Sequence, residues 1–263
     1  MRADVYLTVK GFVSSRSQAK GLIESGCVTV DGKLLKKASE EISEAEHGVE
    51  VSNQLPYVGR GGLKLEGALD AFSLDVKGLS ALDIGASTGG FTDCLLQRGA
   101  EHVCAVDSGA GQLAQSLSQD HRVISMENCN ARYLTAEQIG GAVDLVVMDV
   151  SFISASLIIP RFPELLKERG DAICLIKPQF EVGKSMIGKG GIVKDRHAHR
   201  YAVERVLESG KSVGLRPVGL ISSPITGGDG NREFLVWFTK GRENLREVTE
   251  SEIRRVTDGK ENR

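Results

Sequence analysis

The sequence predicts an α/β protein, in which a small mixed helix and strand unit precedes a larger domain built on a mostly parallel β-sheet. From residue 79 onward, short apolar and β-branched runs alternate with helical stretches. That alternation is typical of a parallel sheet covered by helices on both faces. A glycine-rich loop joins the first of these runs to the following helix, and α/β folds bind their ligands beside such loops.

Residues 1–51 are predicted to form the small N-terminal domain. Residues 14–17 offer serine side chains that can cap a helix, which ends at Gly26. Residues 27–30 then form a strand, and Asp31-Gly32 is the dipeptide typical of a tight β-hairpin turn. Residues 52–59 are predicted to be a linker, because Pro56 restricts the residue before it to extended backbone.

The larger domain is predicted to span residues 60–245, with a charged peripheral tail at 246–263. Apolar spacing predicts helices at 63–72, 154–168 and 197–209. Seven short apolar runs are predicted as strands: 79–84, 103–106, 123–126, 145–150, 172–176, 220–222 and 234–239.

Composition excludes several classes of protein. The chain has 263 residues, a net charge of −2, and no apolar run near the roughly 20 residues needed to cross a bilayer. It also lacks the apolar stretch of a secretory signal, so we expect a cytoplasmic protein. Its five cysteines form no C-x-x-C pair, and four lie in apolar segments that predict burial. His197 and His199 alternate in a predicted helix and do not share a face, so no metal site is expected.

Basic residues are concentrated before Ser39, and acidic residues follow them. This distribution indicates a local basic patch, although charge alone favours an ordinary solvated surface. The candidate RNA-binding residues are Arg2, Lys10, Arg16, Lys20, Lys33, Lys36 and Arg60.

The glycine-rich loop covers residues 81–91, with the sequence Ala-Leu-Asp-Ile-Gly-Ala-Ser-Thr-Gly-Gly-Phe. Asp83 can accept a hydrogen bond from an amino group, and glycines allow close approach of a ligand to the backbone. Asp107 ends the next strand, where an acid can bind ribose hydroxyls. The loop has neither the G-x-G-x-x-G pattern of NAD-binding folds nor the lysine and hydroxyl of a P-loop.

Four charged residues close short segments of the chain: Lys64, Asp149, Lys177 and Glu233. Two of them, Asp149 and Lys177, close segments that are predicted to be buried strands, and the carboxyl ends of such strands hold the chemistry of α/β folds. A pair of structural salt bridges is the alternative interpretation. The neighbouring cofactor loop favours a catalytic cluster.

The loop at residues 83–91 resembles the S-adenosylmethionine (SAM) loop of FtsJ-like RNA ribose methyltransferases. The N-terminal helix, glycine, strand and Asp-Gly turn resemble the RNA-binding domain of ribosomal protein S4. Together with the motifs Arg-Gly-Gly-Leu-Lys at 60–64, Met-Asp-Val-Ser-Phe-Ile at 148–153, Ile-Lys-Pro-Gln-Phe-Glu at 176–181 and Asn-Arg-Glu-Phe at 231–234, the chain is identified as a member of the TlyA family of haemolysin-like rRNA methyltransferases.

The resemblance implies a Rossmann-like class I methyltransferase domain with a seven-stranded, mostly parallel sheet whose last strand is antiparallel. The family's Lys-Asp-Lys-Glu tetrad falls on the four residues above. It implies binding of SAM by Asp83, Gly85, Ser87, Thr88, Gly89, Gly90, Phe91, Asp107, Asn128, Asn130 and Asp149. Asn128 and Asn130 stand where FtsJ-like proteins often carry an acid.

The implied reaction is methyl transfer to a ribose 2′-hydroxyl of ribosomal RNA, most often a cytidine in this family. Lys177 is the candidate for the central group, either as proton acceptor or as a cation that stabilises the nucleophilic oxygen. The expected partners are rRNA or ribosomal subunits, with no metal, membrane or obligate protein partner. A pore-forming haemolysin, a non-catalytic RNA-binding assembly factor and a small-molecule methyltransferase are the alternative functions.

Overall fold

The computed structural model describes residues 1–13, 15–24, 26–35, 37–43, 48–51, 56–227 and 230–259, and within α2 the side chains of residues 17, 18 and 24 are not described. Among the predicted RNA-binding residues, Lys36 lies outside the described part of the chain.

The N-terminal domain packs two helices on a three-stranded antiparallel sheet of order β2-β1-β3. Its elements are α1 (Ala3–Val9), α2 (Arg16–Glu24), β1 (Val28–Val30), β2 (Lys33–Leu34) and β3 (Val49–Val51). Asp31 and Gly32 have φ angles of 49° and 74°, the left-handed backbone that the predicted hairpin turn requires. Leu7 and Ile23 are fully buried in the small core of this domain.

The larger domain is a seven-stranded sheet of order β6-β5-β4-β7-β8-β10-β9. β10 pairs antiparallel with both neighbours, and the other strands run parallel. The strands are β4 (Ser80–Ile84), β5 (His102–Val106), β6 (Val123–Met126), β7 (Val143–Met148), β8 (Leu166–Ile176), β9 (Arg216–Ser222) and β10 (Phe234–Thr239). The helices are α3 (Gly61–Phe72), α4 (Gly90–Gln97), α5 (Gln115–Ser118), α6 (Phe162–Leu165), α7 (Pro178–Glu181), α8 (Arg196–Ser212) and α9 (Glu250–Asp258). The predicted fold class is confirmed.

The helix predicted at 154–168 is wrong. In its place are two 3₁₀ turns and the four-residue helix α6, and β8 already begins at Leu166. Pro160 and Pro163 explain the difference, because proline lacks the N–H that a continuous helix would need at those positions.

The C-terminal segment is not a peripheral tail. Thr249 and Glu252 form a reciprocal capping box that starts α9. Ile253 and Val256 on this helix are buried in the core beside α8. Arg232 donates two hydrogen bonds to the last turn of α9, at Val256 O (3.0 Å) and Thr257 O (2.8 Å). The helix is therefore part of the domain.

The two domains meet at the start of α3. Gly26 has a φ of 73°, which favours glycine, and a Cβ there would lie 2.1 Å from Leu63 Cδ1, so the two residues are closely packed. Tyr57, at the end of the predicted linker, is buried and donates a hydrogen bond to Glu66 at 2.8 Å. Within the described residues, no helix is both long and apolar enough to cross a membrane.

Candidate active site

The four charged residues singled out from the sequence meet at one edge of the sheet. Asp149 directly follows β7, and Lys177 directly follows β8, so both lie at the carboxyl edge. Glu233 directly precedes β10, and because that strand is antiparallel its beginning lies at the same edge. Lys64 reaches the cluster from the first turn of α3.

Two close ion pairs connect the cluster. Lys64 Nζ lies 2.6 Å from Glu233 Oε2, and Lys177 Nζ lies 2.5 Å from Asp149 Oδ1. Lys64 Nζ also lies 3.9 Å from Asp149 Oδ2, which links the two pairs. The order along the cluster is therefore Glu233, Lys64, Asp149 and Lys177.

Burial differs along this cluster. The side chains of Glu233 and Lys64 are 2% and 9% exposed, whereas that of Asp149 is 19% exposed. Burial raises the pKa of Glu233 above its ordinary value, and the adjacent Lys64 opposes that effect. Lys177 and Asp149 line an open cavity. The pair Lys64–Glu233 therefore lies in the interior, and the pair Asp149–Lys177 lies at the cavity, where a substrate can reach it.

Two adjoining cavities form a cleft beside the cluster, with volumes of about 550 and 190 Å³. Both are lined by Gly85, Ser87, Asp149 and Ser151. The larger extends to Asp107, Gln112 and Asn130, and the smaller extends to Thr88, Phe91 and Lys177. The cleft therefore runs from the end of β5 to the tetrad, along the glycine-rich loop.

Asp107 holds two turns of the cleft wall. Its Oδ2 accepts a hydrogen bond from Ser87 N at 2.8 Å, and its Oδ1 accepts one from Gly109 N at 2.7 Å. Because a carboxylate has several lone pairs, each oxygen can still accept a hydrogen bond from a ligand in the cavity.

Asp83 lies beneath the loop and is fully buried. Thr92 Oγ1 donates to its Oδ2 at 2.7 Å, but Oδ1 is buried without a hydrogen-bond partner among the described residues. Burial raises the pKa of this carboxyl to about 7, and the negative charges of Asp149 and Asp107 act in the same direction. A ligand that carries positive charge would favour its ionised form.

The predicted cofactor residues divide into two groups. Those that line the cleft are Gly85, Ser87, Thr88, Gly90, Phe91, Asp107, Asn130 and Asp149. Asp83, Gly89 and Asn128 do not line it. Gly89 has a φ of 97°, and a Cβ there would lie 2.2 Å from Leu117, so its function is in the turn. Asn128 has a φ of 53° and donates its backbone N–H to Gly109 O.

Sequence reasoning missed three residues of this region. Glu127 accepts hydrogen bonds from Gly111 N and Gln112 N, at 2.7 and 3.1 Å, and so holds the loop over the larger cavity. Gln112 lines that cavity and accepts a bond from Ser87 Oγ at 3.2 Å. Ser151 accepts a hydrogen bond from Lys177 at 2.7 Å. The position of Glu127 directly after β6 was a usable indication.

Among the predicted RNA-binding residues that the structure describes, Arg60 belongs to the larger domain, where it precedes α3 and donates to Thr226 O at 3.2 Å. Arg2 and Arg16 both pair with Asp4, at 3.0 and 2.7 Å, and these pairs hold the pKa of Asp4 well below its usual range. Lys10 lies over the Tyr6 ring, and Lys20 and Lys33 have exposed side chains.

The chemistry of the cleft fits SAM, which combines a nucleoside with an ammonium and a sulfonium cation. Asp107 offers carboxylate oxygens at the larger cavity, while Asp149 supplies negative charge to both cavities. A Cβ on Gly85 would lie 2.4 Å from Asp149 O, so the loop is already packed closely against β7. Asp83 supplies a buried oxygen that lacks a partner within the described chain.

Comparisons with known proteins identify the families to which the two domains are similar. Residues 57–240 match the model of the FtsJ-like methyltransferase family, and residues 1–47 match the S4 domain. The chain is 45% identical to YqxC of Bacillus subtilis, a candidate rRNA methyltransferase, over 98% of this chain and 92% of that protein. It is also 45% identical to the 16S/23S rRNA (cytidine-2′-O)-methyltransferase TlyA of Mycobacterium tuberculosis, over 90% of this chain and 88% of that protein.

A solved structure of a candidate hemolysin from Streptococcus thermophilus aligns with a TM-score of 0.75 and 40% identity. The alignment covers 98% of this chain and 94% of that one. The resemblance identified from the sequence motifs is confirmed.

Proposed function

The chain belongs to the FtsJ-like methyltransferase family, and we propose that it transfers a methyl group from SAM to a ribose 2′-hydroxyl of ribosomal RNA, at a cytidine. The observation that carries the proposal is the position of Lys177. Its ammonium pairs with Asp149 at the tetrad and lines the cleft that fits the cofactor. The methyl group of SAM and the ribose 2′-hydroxyl would therefore meet beside the Lys177 cation.

SAM would be held along the glycine-rich loop. Asp107 would bind the ribose hydroxyls, Asp149 would face the methionine part, and Asp83 would act from below the loop. Asp107→Ala should weaken SAM binding about 10- to 100-fold, because two hydrogen bonds to a charged acceptor are lost. Calorimetry measures this affinity, and circular dichroism checks that the variant is folded. Unchanged affinity in a folded variant would contradict the assignment.

The residues of the tetrad would prepare the nucleophile. Bound SAM supplies an electrophilic methyl group. Lys177 would direct the ribose 2′-oxygen through a hydrogen bond, while Asp149 holds the Lys177 side chain in place. Lys64 and Glu233, both more buried, would fix the other side of Asp149. Positioning of two reactants alone contributes up to about 7–11 kcal/mol, so the cluster does not need a strong base.

The substrate assignment is supported by the N-terminal domain and by the relatives. The S4 domain match covers residues 1–47, and the larger domain contains the tetrad. The named activity of the M. tuberculosis relative, 45% identical to this chain, is methylation of cytidine 2′-oxygens in 16S and 23S rRNA. These observations favour an RNA substrate over a small molecule.

Methyl transfer to rRNA from cells that lack this protein tests the proposal. Ribosomal subunits and free rRNA are incubated with isotopically labelled SAM, and alkali-resistant positions are then mapped. A 2′-O-methylated nucleotide resists alkaline hydrolysis because its internal nucleophile is capped. A base-methylated product would contradict the proposed chemistry. RNA binding without any methyl transfer would support the non-catalytic alternative instead.

A further inference from the structure

Lys177 has a second partner besides Asp149. Its Nζ donates a hydrogen bond to Ser151 Oγ at 2.7 Å, while the carboxylate of Asp149 lies 2.5 Å away. Asp149 and Ser151 are two residues apart in a segment that is neither helix nor strand. Side chains at this separation point to the same side when the backbone is extended, so one short segment supplies both acceptors.

Ser151 also lies where the two cavities of the cleft meet, since it lines both of them. Its side chain is exposed to the cleft. The Ser151 hydroxyl is therefore available to Lys177, which also lines the cleft. Ser151 does not fill space in the hydrophobic core.

Resting on the proposed function, we propose that Ser151 is a positioning residue that sets the orientation of the Lys177 amine. The nitrogen is tetrahedral, and its bond to Cε leaves three directions. Ser151 Oγ occupies one of these directions through a hydrogen bond, whereas Asp149 Oδ1 makes a close ion pair without hydrogen-bond geometry. Ser151 is therefore the directional partner, and a remaining direction is left for the 2′-oxygen of the ribose.

This orientation serves either protonation state of Lys177. The ammonium would donate a remaining N–H to the 2′-oxygen, whereas the neutral amine would direct its lone pair toward the hydroxyl proton. In the transfer, the oxygen–methyl bond forms as the methyl–sulfur bond breaks, and the electron pair of that bond stays on sulfur. The hydroxyl proton passes to Lys177 or to solvent. Ser151 itself exchanges no proton.

Removal of the hydroxyl should lower kcat and spare binding. We expect Ser151→Ala to reduce kcat for methyl transfer about 10- to 100-fold, because small misplacements of a reacting group have effects of that size. The KM for rRNA and the calorimetric affinity for SAM should stay within about threefold of wild type. Ser151→Thr keeps the hydroxyl and should restore most of the rate.

Ser212→Ala is the matched control. This serine is also exposed, and its hydroxyl donates a single hydrogen bond to Ser209 O on α8, away from the cleft. It should leave all three quantities unchanged. A readout independent of activity is the solvent exchange of the Lys177 Nζ protons in ¹⁵N-lysine NMR spectra, with Lys177→Arg used to assign the signal. Exchange should be faster in Ser151→Ala than in wild type or Ser151→Thr.

Each of these measurements can contradict the role of Ser151. A kcat within twofold of wild type, a loss confined to KM or SAM affinity, or a failure of threonine to restore the rate would overturn the inference. Unchanged exchange of the Lys177 protons would overturn it too. If the wild-type protein itself does not methylate rRNA, the proposed function fails, and the NMR comparison still tests whether Ser151 orders Lys177.

Discussion

Cations pair with carboxylates in two regions of this protein, but the surroundings differ. In the N-terminal domain, Arg2 and Arg16 share Asp4, and their side chains are 50% and 59% exposed. In the tetrad, Lys64 and Lys177 are 9% and 11% exposed, and each has a carboxylate of its own within 2.6 Å. Exposed pairs are screened by water and salt, whereas buried pairs hold a geometry and become costly when broken. The exposed arginines are accessible to a polyanion, whereas the buried lysines of the tetrad are held in a fixed geometry.

The largest effect should come from Lys177, the cation that reaches the cleft. Lys177→Ala should lower the rate of methyl transfer by about 10²- to 10⁴-fold with little change in SAM affinity, because its contribution belongs to the transition state. Single-turnover kinetics and calorimetry measure the two quantities. Lys167→Ala, which removes a half-exposed lysine from the other end of β8, is the control. Full activity of the Lys177 variant would contradict a contribution of Lys177 to the transition state.

Substitution of Lys64 should lower the stability of the protein as well as its activity. Lys64→Ala leaves Glu233 buried without its cation, so the free energy of unfolding should fall by about 3–5 kcal/mol. The double variant Lys64→Met/Glu233→Leu removes both charges and should recover most of that loss. Urea denaturation measures both, and equal stability of Lys64→Ala and wild type would show that the pair is not buried in solution. Lys64→Ala and Glu233→Ala should each reduce activity less than Lys177→Ala.

Asp83 provides the third case, a buried carboxyl without a cation. Its pKa of about 7 in the folded state exceeds its ordinary value, so folding favours proton binding. Its contribution to stability is therefore present at acid pH and is lost as pH rises from about 4 to 7. The unfolding free energy of wild type should fall relative to Asp83→Asn by up to about 1.4 kcal/mol per pH unit in this window. A parallel pH dependence of the two proteins would refute the shift.

The smallest effect should come from single basic residues of the N-terminal domain. Lys33→Gln should weaken rRNA binding modestly and reduce the slope of log K against log salt concentration by about 0.7–0.9, because one fewer counterion is released. Lys211→Gln on α8, an exposed lysine of the larger domain, is the control and should keep the wild-type slope.

Removal of residues 1–51 should impair rRNA recognition more than SAM binding. Full activity of the truncated protein on ribosomal substrate would contradict a recognition function.

The sequence was most informative where periodicity and strand ends agreed. Asp149 and Lys177 could be placed because apolar runs end directly before them, and parallel strands share one carboxyl edge. Proline at 160 and 163 broke a helix that apolar spacing alone predicted. The α9 helix was missed because its buried face is small, although the Thr249 and Glu252 capping box was present in the sequence.

The shape of the cleft was less accessible to sequence reasoning. Asn128 was expected among the cofactor residues, but its left-handed backbone and its bond to Gly109 place it outside the cavity walls. Ser151 contacts Lys177 only because two strand-end loops meet in space. Contacts between loops depend on tertiary packing, and no local pattern specifies them.

The hydrogen bonds between Arg232 and α9 bear on the order in which parts of the protein fold during synthesis. Arg232, next to Glu233, closes the last turn of α9, and Val256 and Thr257 on that helix are fully or almost fully buried. Domains fold during translation from the N-terminal side. The N-terminal domain can therefore form while the chain is still attached to the ribosome, whereas the support of Glu233 is complete only after residue 257 has emerged. The N-terminal domain would thus be complete before the tetrad is.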